Sequence, residues 1–222
     1  MTGSFDIRKT GDGSHTLFHR ELDESYHSLY GAVEESKHVF IDAGLAYFPQ
    51  EVPELNVLEV GYGTGLNALL SYIWAQQYKR KVKYYGIEAF PPDRELINHL
   101  NHARILDVDN IVYQNFHPDP ATLKKIGSHF TLQVENLSIH KVELSDNAFQ
   151  VVFFDAFSPV KQPEMWTAEL FRKIHTSMVR GGVLTTYSSS GLVKRALRSA
   201  GFKVKRLPGP PGKHEMLRAT KV

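Results

Sequence analysis

At 222 residues with 42% apolar side chains, the chain suits one domain with a sizeable core, and no apolar run approaches the roughly 20 residues of a membrane-spanning helix. It has no cysteine, which excludes disulfides and cysteine-bound metals, and residues 1–6 lack a charged-then-apolar leader, so the expected compartment is the cytoplasm and no metal is expected. The net charge of +2 is unevenly spread: residues 191–222 hold nine Lys/Arg against Glu215 alone, a net +8 that leaves −6 for residues 1–190. A basic end on an acidic body suits a polyanionic partner; a solvated helix face plus an edge strand explains it as well.

Residues 5–8 and 16–18, flanking the turn-rich Thr10-Gly11-Asp12-Gly13-Ser14, predict a hairpin. Val33, Val39, Phe40 and Ala43 roughly follow a helical period, which predicts a helix over about 32–48. Pro49 and Pro53 then separate an N-terminal appendage, 1–50, from a main fold, 51–222. The main fold alternates: strand 56–61, helix 65–78, strand 82–88, then a helix over 92–103 opened by Pro91-Pro92-Asp93. The stretch 111–145 is the least legible and suggests a helix at 119–127 and a strand at 131–134. Residues 149–155 are apolar enough for a strand buried on both faces. A helix over 163–179 is expected to stop at Gly181-Gly182, followed by strand 183–187 and helix 192–200. Strands 202–206 and 215–219 flank Pro208-Gly209-Pro210-Pro211-Gly212, where no helix fits, so they should pair antiparallel. The expected class is α/β, a mostly parallel sheet ending in an antiparallel hairpin, with a small N-terminal appendage.

Chemistry concentrates at three strand ends. Val57-Leu58-Glu59-Val60 runs into Gly61-Tyr62-Gly63-Thr64-Gly65 and then a helical pattern, the opening of a nucleotide-binding βαβ unit. Leu66 stands where a dinucleotide fingerprint needs its last glycine, so that fingerprint is not met. Glu88 ends the second strand, 27 residues after Gly61, where a carboxylate can accept both hydroxyl protons of a ribose; capping the next helix is the alternative. Asp155 ends the buried strand, where it can accept hydrogen bonds from an amine and help it lose a proton, or serve as a loop anchor. Trp166 is placed either to stack on a base or to fill the core, and Lys213 either to hold a phosphate or to sit solvated on its rigid loop.

The pattern Glu59-x-Gly61-x-Gly63-x-Gly65 resembles motif I of S-adenosylmethionine-dependent methyltransferases, and the terminal hairpin resembles their Rossmann-like class I fold. With Asp155-Ala156-Phe157-Ser158-Pro159, Pro163-Glu164-Met165-Trp166 and Gly212-Lys213-His214-Glu215-Met216 in that order and spacing, the chain resembles the methyltransferase domain of bacterial tRNA 5-methylaminomethyl-2-thiouridine biosynthesis bifunctional proteins. Tyr26-His27-Ser28 and residues 35–41 resemble that domain's N-terminal motifs. The resemblance implies methyl transfer from S-adenosylmethionine to the exocyclic amine of 5-aminomethyl-(2-thio)uridine at the tRNA wobble position, with the anticodon region as partner. It implies that Asp155 faces the amine, and that Glu59, Gly61, Gly63, Thr64, Gly65, Asn67, Glu88, Asp155, Ala156 and Phe157 hold the cofactor. It implies substrate contacts from Tyr26, Ser28, Trp166, Lys213, His214 and Glu215. The bifunctional proteins carry an FAD-dependent oxidoreductase domain that this chain ends before, so FAD is not expected and the amine would come by another route. His214 stands where the family usually has arginine, which implies a weaker or pH-dependent grip if that arginine holds RNA, and Ala156 replaces a frequent glycine. A small-molecule amine methyltransferase and a non-catalytic RNA-binding module share the fold; the basic end speaks against the first, and intact Asp155 and Glu88 against the second.

Overall fold

The computed structural model describes residues 5–222; residues 1–4 of the N-terminal segment lie outside the described residues. Strands β1 (Phe5–Lys9), β2 (His15–His19) and β3 (Glu24–Ser25) form a small antiparallel sheet, with the expected hairpin between the first two. Helix α1 (Ala32–Ser36) runs directly into a π-helical turn, Lys37–Asp42, and a 3₁₀ turn, Leu45–Tyr47. Val39, Phe40 and Leu45 from this segment are buried in the same cluster as the main sheet, and the Phe40 and Phe153 rings lie 5.1 Å apart.

The main sheet begins with β4 (Glu54–Val60), which leads to α2 (Leu66–Tyr78) and β5 (Lys81–Ile87). Short helices α3 (Arg94–Asn98), α4 (His102–Ile105) and α5 (Asn110–Gln114) precede β6 (Lys124–Ile126) and β7 (Phe130–Glu135). Then come β8 (Phe149–Phe154), a 3₁₀ turn at Pro163–Trp166, α6 (Ala168–Ser177), β9 (Met178–Thr186), α7 (Gly191–Ser199), β10 (Phe202–Pro208) and β11 (Glu215–Lys221). The sheet order is β10-β11-β9-β8-β4-β5-β7-β6, with β9, β8, β4, β5 and β7 parallel and both edges antiparallel. On β8, Val151 and Phe153 enter the core under α2, while Val152 and Phe154 enter the core under α6 and α7, which explains its unbroken apolar run. The chain adds β5 and β7 on one side of β4 and then crosses to lay β8 on the other. That reversal opens a crevice beyond the carboxyl ends of β4 and β8. No helix among the described residues is long and apolar enough to cross a membrane.

Three local expectations are corrected. Residues 119–127 are not helical: Lys124–Ile126 pairs with β7 around Gly127, whose φ of 65° makes a hairpin turn that overrides helix propensity. The helix over 92–103 breaks into α3 and α4; Asp93 of the expected opening caps α3, accepting from the Glu95 N–H at 2.9 Å, and the two prolines precede the first turn rather than sit in it. Gly181-Gly182 does not end the sixth helix. Helix α6 stops at Ser177, where the Asn147 and Ala148 N–H groups take the Thr176 and Ser177 carbonyls, and the glycines form an irregularity inside β9 with φ 81° at Gly181.

Candidate active site

The crevice holds a cavity of about 450 Å³. Its floor is the turn after β4, where Gly61, Gly63 and Gly65 have φ of 87°, 52° and 74°. Gly61 is fixed twice over: a Cβ there would lie 2.5 Å from the Asp155 carbonyl oxygen. The Asp155 N–H in turn donates to the Val60 carbonyl at 2.9 Å, so the ends of β4 and β8 meet backbone to backbone. Glu88, just past β5, spans the turn, its two oxygens accepting from the Gly63 N–H and the Phe90 N–H, each at 2.9 Å. Each carboxylate oxygen keeps a lone pair for a ligand in the cavity. Burial raises the Glu88 carboxyl above its ordinary value, against the pull of these N–H groups.

Asp155 reaches the cavity from the end of β8. Its Oδ2 accepts from Asn67 Nδ2 at 2.9 Å, and Asn67, in the first turn of α2, also donates to Glu59 at 2.7 Å. Burial pushes the Asp155 carboxyl up to about 7; the Glu35 charge adds to the rise, and the Asn67 hydrogen bond and the Lys213 ammonium oppose it. A carboxyl poised near neutrality can exchange a proton with a bound amine.

The roof comes from the first fifty residues and the β10–β11 loop. Tyr26 packs edge-on against Phe157 with ring centres 5.0 Å apart, and Ser28 lines the wall beside it. Glu24 accepts from the Ser158 N–H and hydroxyl at 3.0 and 2.9 Å, tying β3 to the loop after Asp155. Buried Glu35 accepts from the Ser28 N–H at 2.7 Å and from Lys213 Nζ at 2.6 Å, while that ammonium sits 4.0 Å above the Tyr187 ring. The Tyr187 hydroxyl donates to the Ala156 carbonyl at 2.8 Å. Among the described residues no group of His, Asp and Glu is arranged to hold a metal.

Of the residues singled out in the sequence, Gly61, Gly63, Glu88, Asp155, Ala156 and Phe157 meet at the cavity. Tyr26, Ser28 and Lys213 line it as well. Others do not. Glu59 is 0% exposed, enclosed under α2 by Asn67 and the Tyr84 hydroxyl, and its carboxyl is raised well above the usual range by burial. It positions Asn67 and does not touch the cavity. Thr64, Gly65 and Asn67 build the turn behind the cavity wall. Trp166 is core: 1% exposed, its indole N–H donating to the Phe157 carbonyl at 2.8 Å, so neither ring face is open to a base. His214 and Glu215 face a neighbouring shallow groove with Ser188 and Ser189, and Glu215 pairs with Arg206 at 3.1 Å. Glu24 and Tyr187 were not singled out, and Glu35, though part of the 35–41 motif, was given no place in the site. Glu35 carried a signal: it sits on the stripe Ala32, Glu35, Ser36, Val39 of its helix, where a carboxylate needs a partner.

A family model for S-adenosyl-L-methionine-dependent methyltransferases matches residues 110–222. The chain belongs to this family. The tRNA 5-methylaminomethyl-2-thiouridine biosynthesis bifunctional protein MnmC of Leptospira interrogans is 30% identical over 210 residues, covering 89% of this chain and 32% of that protein. The protein of the same name from Pseudomonas savastanoi pv. phaseolicola is 30% identical over 217 residues, with 90% and 32% covered. The methyltransferase described here therefore spans about a third of the length of these relatives. Among solved structures, MnmC2 from Aquifex aeolicus superposes with a TM-score of 0.75 at 26% identity, covering 98% of this chain and 70% of that one. Spermidine synthase from Thermotoga maritima shares the fold, with a TM-score of 0.56 at 13% identity over 97% of this chain and 68% of that one. The sheet order is thus that of a Rossmann-like methyltransferase.

Proposed function

We propose that this methyltransferase methylates the exocyclic primary amine of 5-aminomethyl-(2-thio)uridine at the tRNA wobble position, in the cytoplasm, giving the 5-methylaminomethyl nucleoside. The observation that carries the reading is Asp155, a carboxyl near neutrality one backbone contact from the glycine turn, in a chain similar over nine-tenths of its length to MnmC proteins. Those relatives are named for the biosynthesis of tRNA 5-methylaminomethyl-2-thiouridine. We read residues 51–222 as the catalytic fold and the first fifty as its cap.

The residues present fit S-adenosylmethionine. Gly61 and Gly63 present backbone without side chains to the cavity, and both Glu88 oxygens, each holding one N–H, keep lone pairs beside them. Glu88 would take the ribose hydroxyls, and the backbone of Gly61 and Gly63 would approach the amino-acid portion. Bound there, the group supplies a sulfonium methyl. Asp155 receives the substrate ammonium, accepts its proton on the oxygen that Asn67 leaves free, and so exposes the nitrogen lone pair. Tyr26 and Phe157 exclude water and hold the uracil ring side of the cavity, fixing the approach. Lys213, neutralised by Glu35, adds little repulsion toward an incoming ammonium.

The test is methyl transfer from labelled S-adenosylmethionine to tRNA carrying aminomethyluridine. Product is expected on that tRNA and not on tRNA lacking the aminomethyl group; transfer to polyamines instead would overturn the reading. Glu88→Gln should weaken S-adenosylmethionine binding about 10- to 100-fold by calorimetry, the size of a lost charged hydrogen bond. Glu35→Gln should move the acid limb of the kcat/KM profile to lower pH. The groups around Asp155 are Glu35 on α1, Lys213 on the hairpin loop, Asn67 on α2, Glu59 on β4, Tyr84 on β5 and Tyr187 just past β9. Of these, the substitution removes one negative charge and releases the Lys213 charge, both favouring the Asp155 carboxylate.

A further inference from the structure

We propose that the β10–β11 edge of the large sheet is a docking track for an RNA phosphodiester backbone, leading to the mouth of the cavity. This rests on the reading that the substrate is an RNA. Strand β10 is the last in the sheet, and its register sets Lys203 opposite Thr220, Lys205 opposite Arg218 and Leu207 opposite Met216. These residues share one face of the hairpin, the face whose Met216 is buried with the N-terminal helical segment.

Lys205 and Arg218 are like charges placed directly across a ladder, an arrangement that costs stability unless an anion relieves it. No carboxylate relieves it: none of the ion pairs among the described residues includes Lys203, Lys205 or Arg218. Arg206, on the opposite face of the same strand, is paired with Glu215, so the absence is specific to one face. Arg218 is held in place without being neutralised. Its guanidinium lies 4.0 Å above the Tyr47 ring and donates to the Ala43 carbonyl at 3.3 Å, and Tyr47 is 44% exposed.

Direction matters as much as charge. Strand β10 runs toward the cavity end of the sheet, and its loop delivers Lys213 into the cavity wall. At about 3.3 Å per residue, Lys205 lies about 10 Å and Lys203 about 16 Å back from the start of that loop. Cations of one sign in a line toward the site, beside an exposed aromatic ring, match a charged backbone rather than a compact ligand. Lysines on edge strands also prevent sheets from adding edge to edge. That role needs charge of either sign, which separates the two explanations.

The experiment measures tRNA binding across a salt series for the wild-type protein, Lys203→Glu/Lys205→Glu and Lys203→Gln/Lys205→Gln, with S-adenosylmethionine affinity and melting temperature as controls. The reversal keeps the edge charged, yet is expected to weaken tRNA binding at least tenfold. The glutamine pair is expected to flatten the log–log salt slope by about 1.4 to 1.8, the loss of two phosphate contacts. S-adenosylmethionine affinity and methylation of free 5-aminomethyluridine should not change, and the melting temperature should hold or rise, because both substitutions remove the repulsion between Lys205 and Arg218. Salt-dependent binding by the wild type that neither double substitution alters overturns the track and leaves the tRNA reading intact. A wild-type protein with no salt-dependent tRNA binding overturns both.

Discussion

Asp155→Asn is expected to lower the turnover of methyl transfer by about 10²- to 10⁴-fold, the range for loss of a positioned proton acceptor, and to make the folded protein more stable above pH 7. Both effects come from one environment. The carboxyl is buried, faces Glu35, and has a single protein donor on Oδ2, so its ionised form is held at a cost and its value rises to about 7. Between the unfolded value near 3.8 and about 7 the folded state binds the extra proton, so wild-type stability declines as pH rises through that window. Asparagine carries no charge and can still accept from Asn67. The stability gained by the variant should therefore be near zero at pH 4 and reach roughly 1–3 kcal/mol at pH 8, the scale of an under-compensated buried polar group. Chemical denaturation at the two pH values, alongside single-turnover kinetics, checks both halves. A variant equally destabilised at both would mean that Asp155 is a structural anchor.

Gly61→Ala should destabilise the protein by roughly 2–4 kcal/mol and weaken S-adenosylmethionine binding at least tenfold. At φ 87° a Cβ is strained in any surroundings, a cost of about 1–3 kcal/mol. Here it also meets the Asp155 carbonyl at 2.5 Å, and that carbonyl belongs to a strand end that cannot swing aside. Gly181 separates the two contributions. Its φ is 81°, yet nothing lies within 4 Å of an added Cβ, so Gly181→Ala should cost only the strain and leave cofactor affinity unchanged. Denaturation midpoints and calorimetry on the pair measure the difference. Similar losses at both positions would show that the contact with Asp155 carries no weight.

The parts of the site legible in the sequence are those set by short-range rules. Strand, glycine turn and helix announce themselves through apolar runs and positive-φ positions, and a carboxylate at a strand's carboxyl end is placed by topology alone, as Glu88 and Asp155 are. Strand parity also had information that the motif obscured. Val57 and Glu59 share one face of β4, the face under α2, so Glu59 was bound to be enclosed however close it stands to the glycines. Trp166 followed the core because Phe154 and Phe171 surround it, a fact of tertiary contact. Residues 119–127 misled because a lysine-rich run next to a glycine reads as a frayed helix until β7 is there to pair with it. Glu24 and Tyr187 had no comparable local cue, and what they touch lies 134 and 31 residues away.

Two carboxylates close the roof over the cavity, Glu24 on Ser158 and Glu35 on Lys213, across 134 and 178 residues of sequence. The floor is built from backbone contacts between neighbouring strands of the sheet. These halves form under different entropic terms. The floor is assembled with the sheet, whereas each roof contact closes a long loop for the return of a few side-chain hydrogen bonds. The Glu24 and Glu35 contacts are therefore the part of the roof held by side chains alone, and they can break while β4 and β8 stay paired. Were those contacts to open, the sheet would still keep the glycine turn and Asp155 in register.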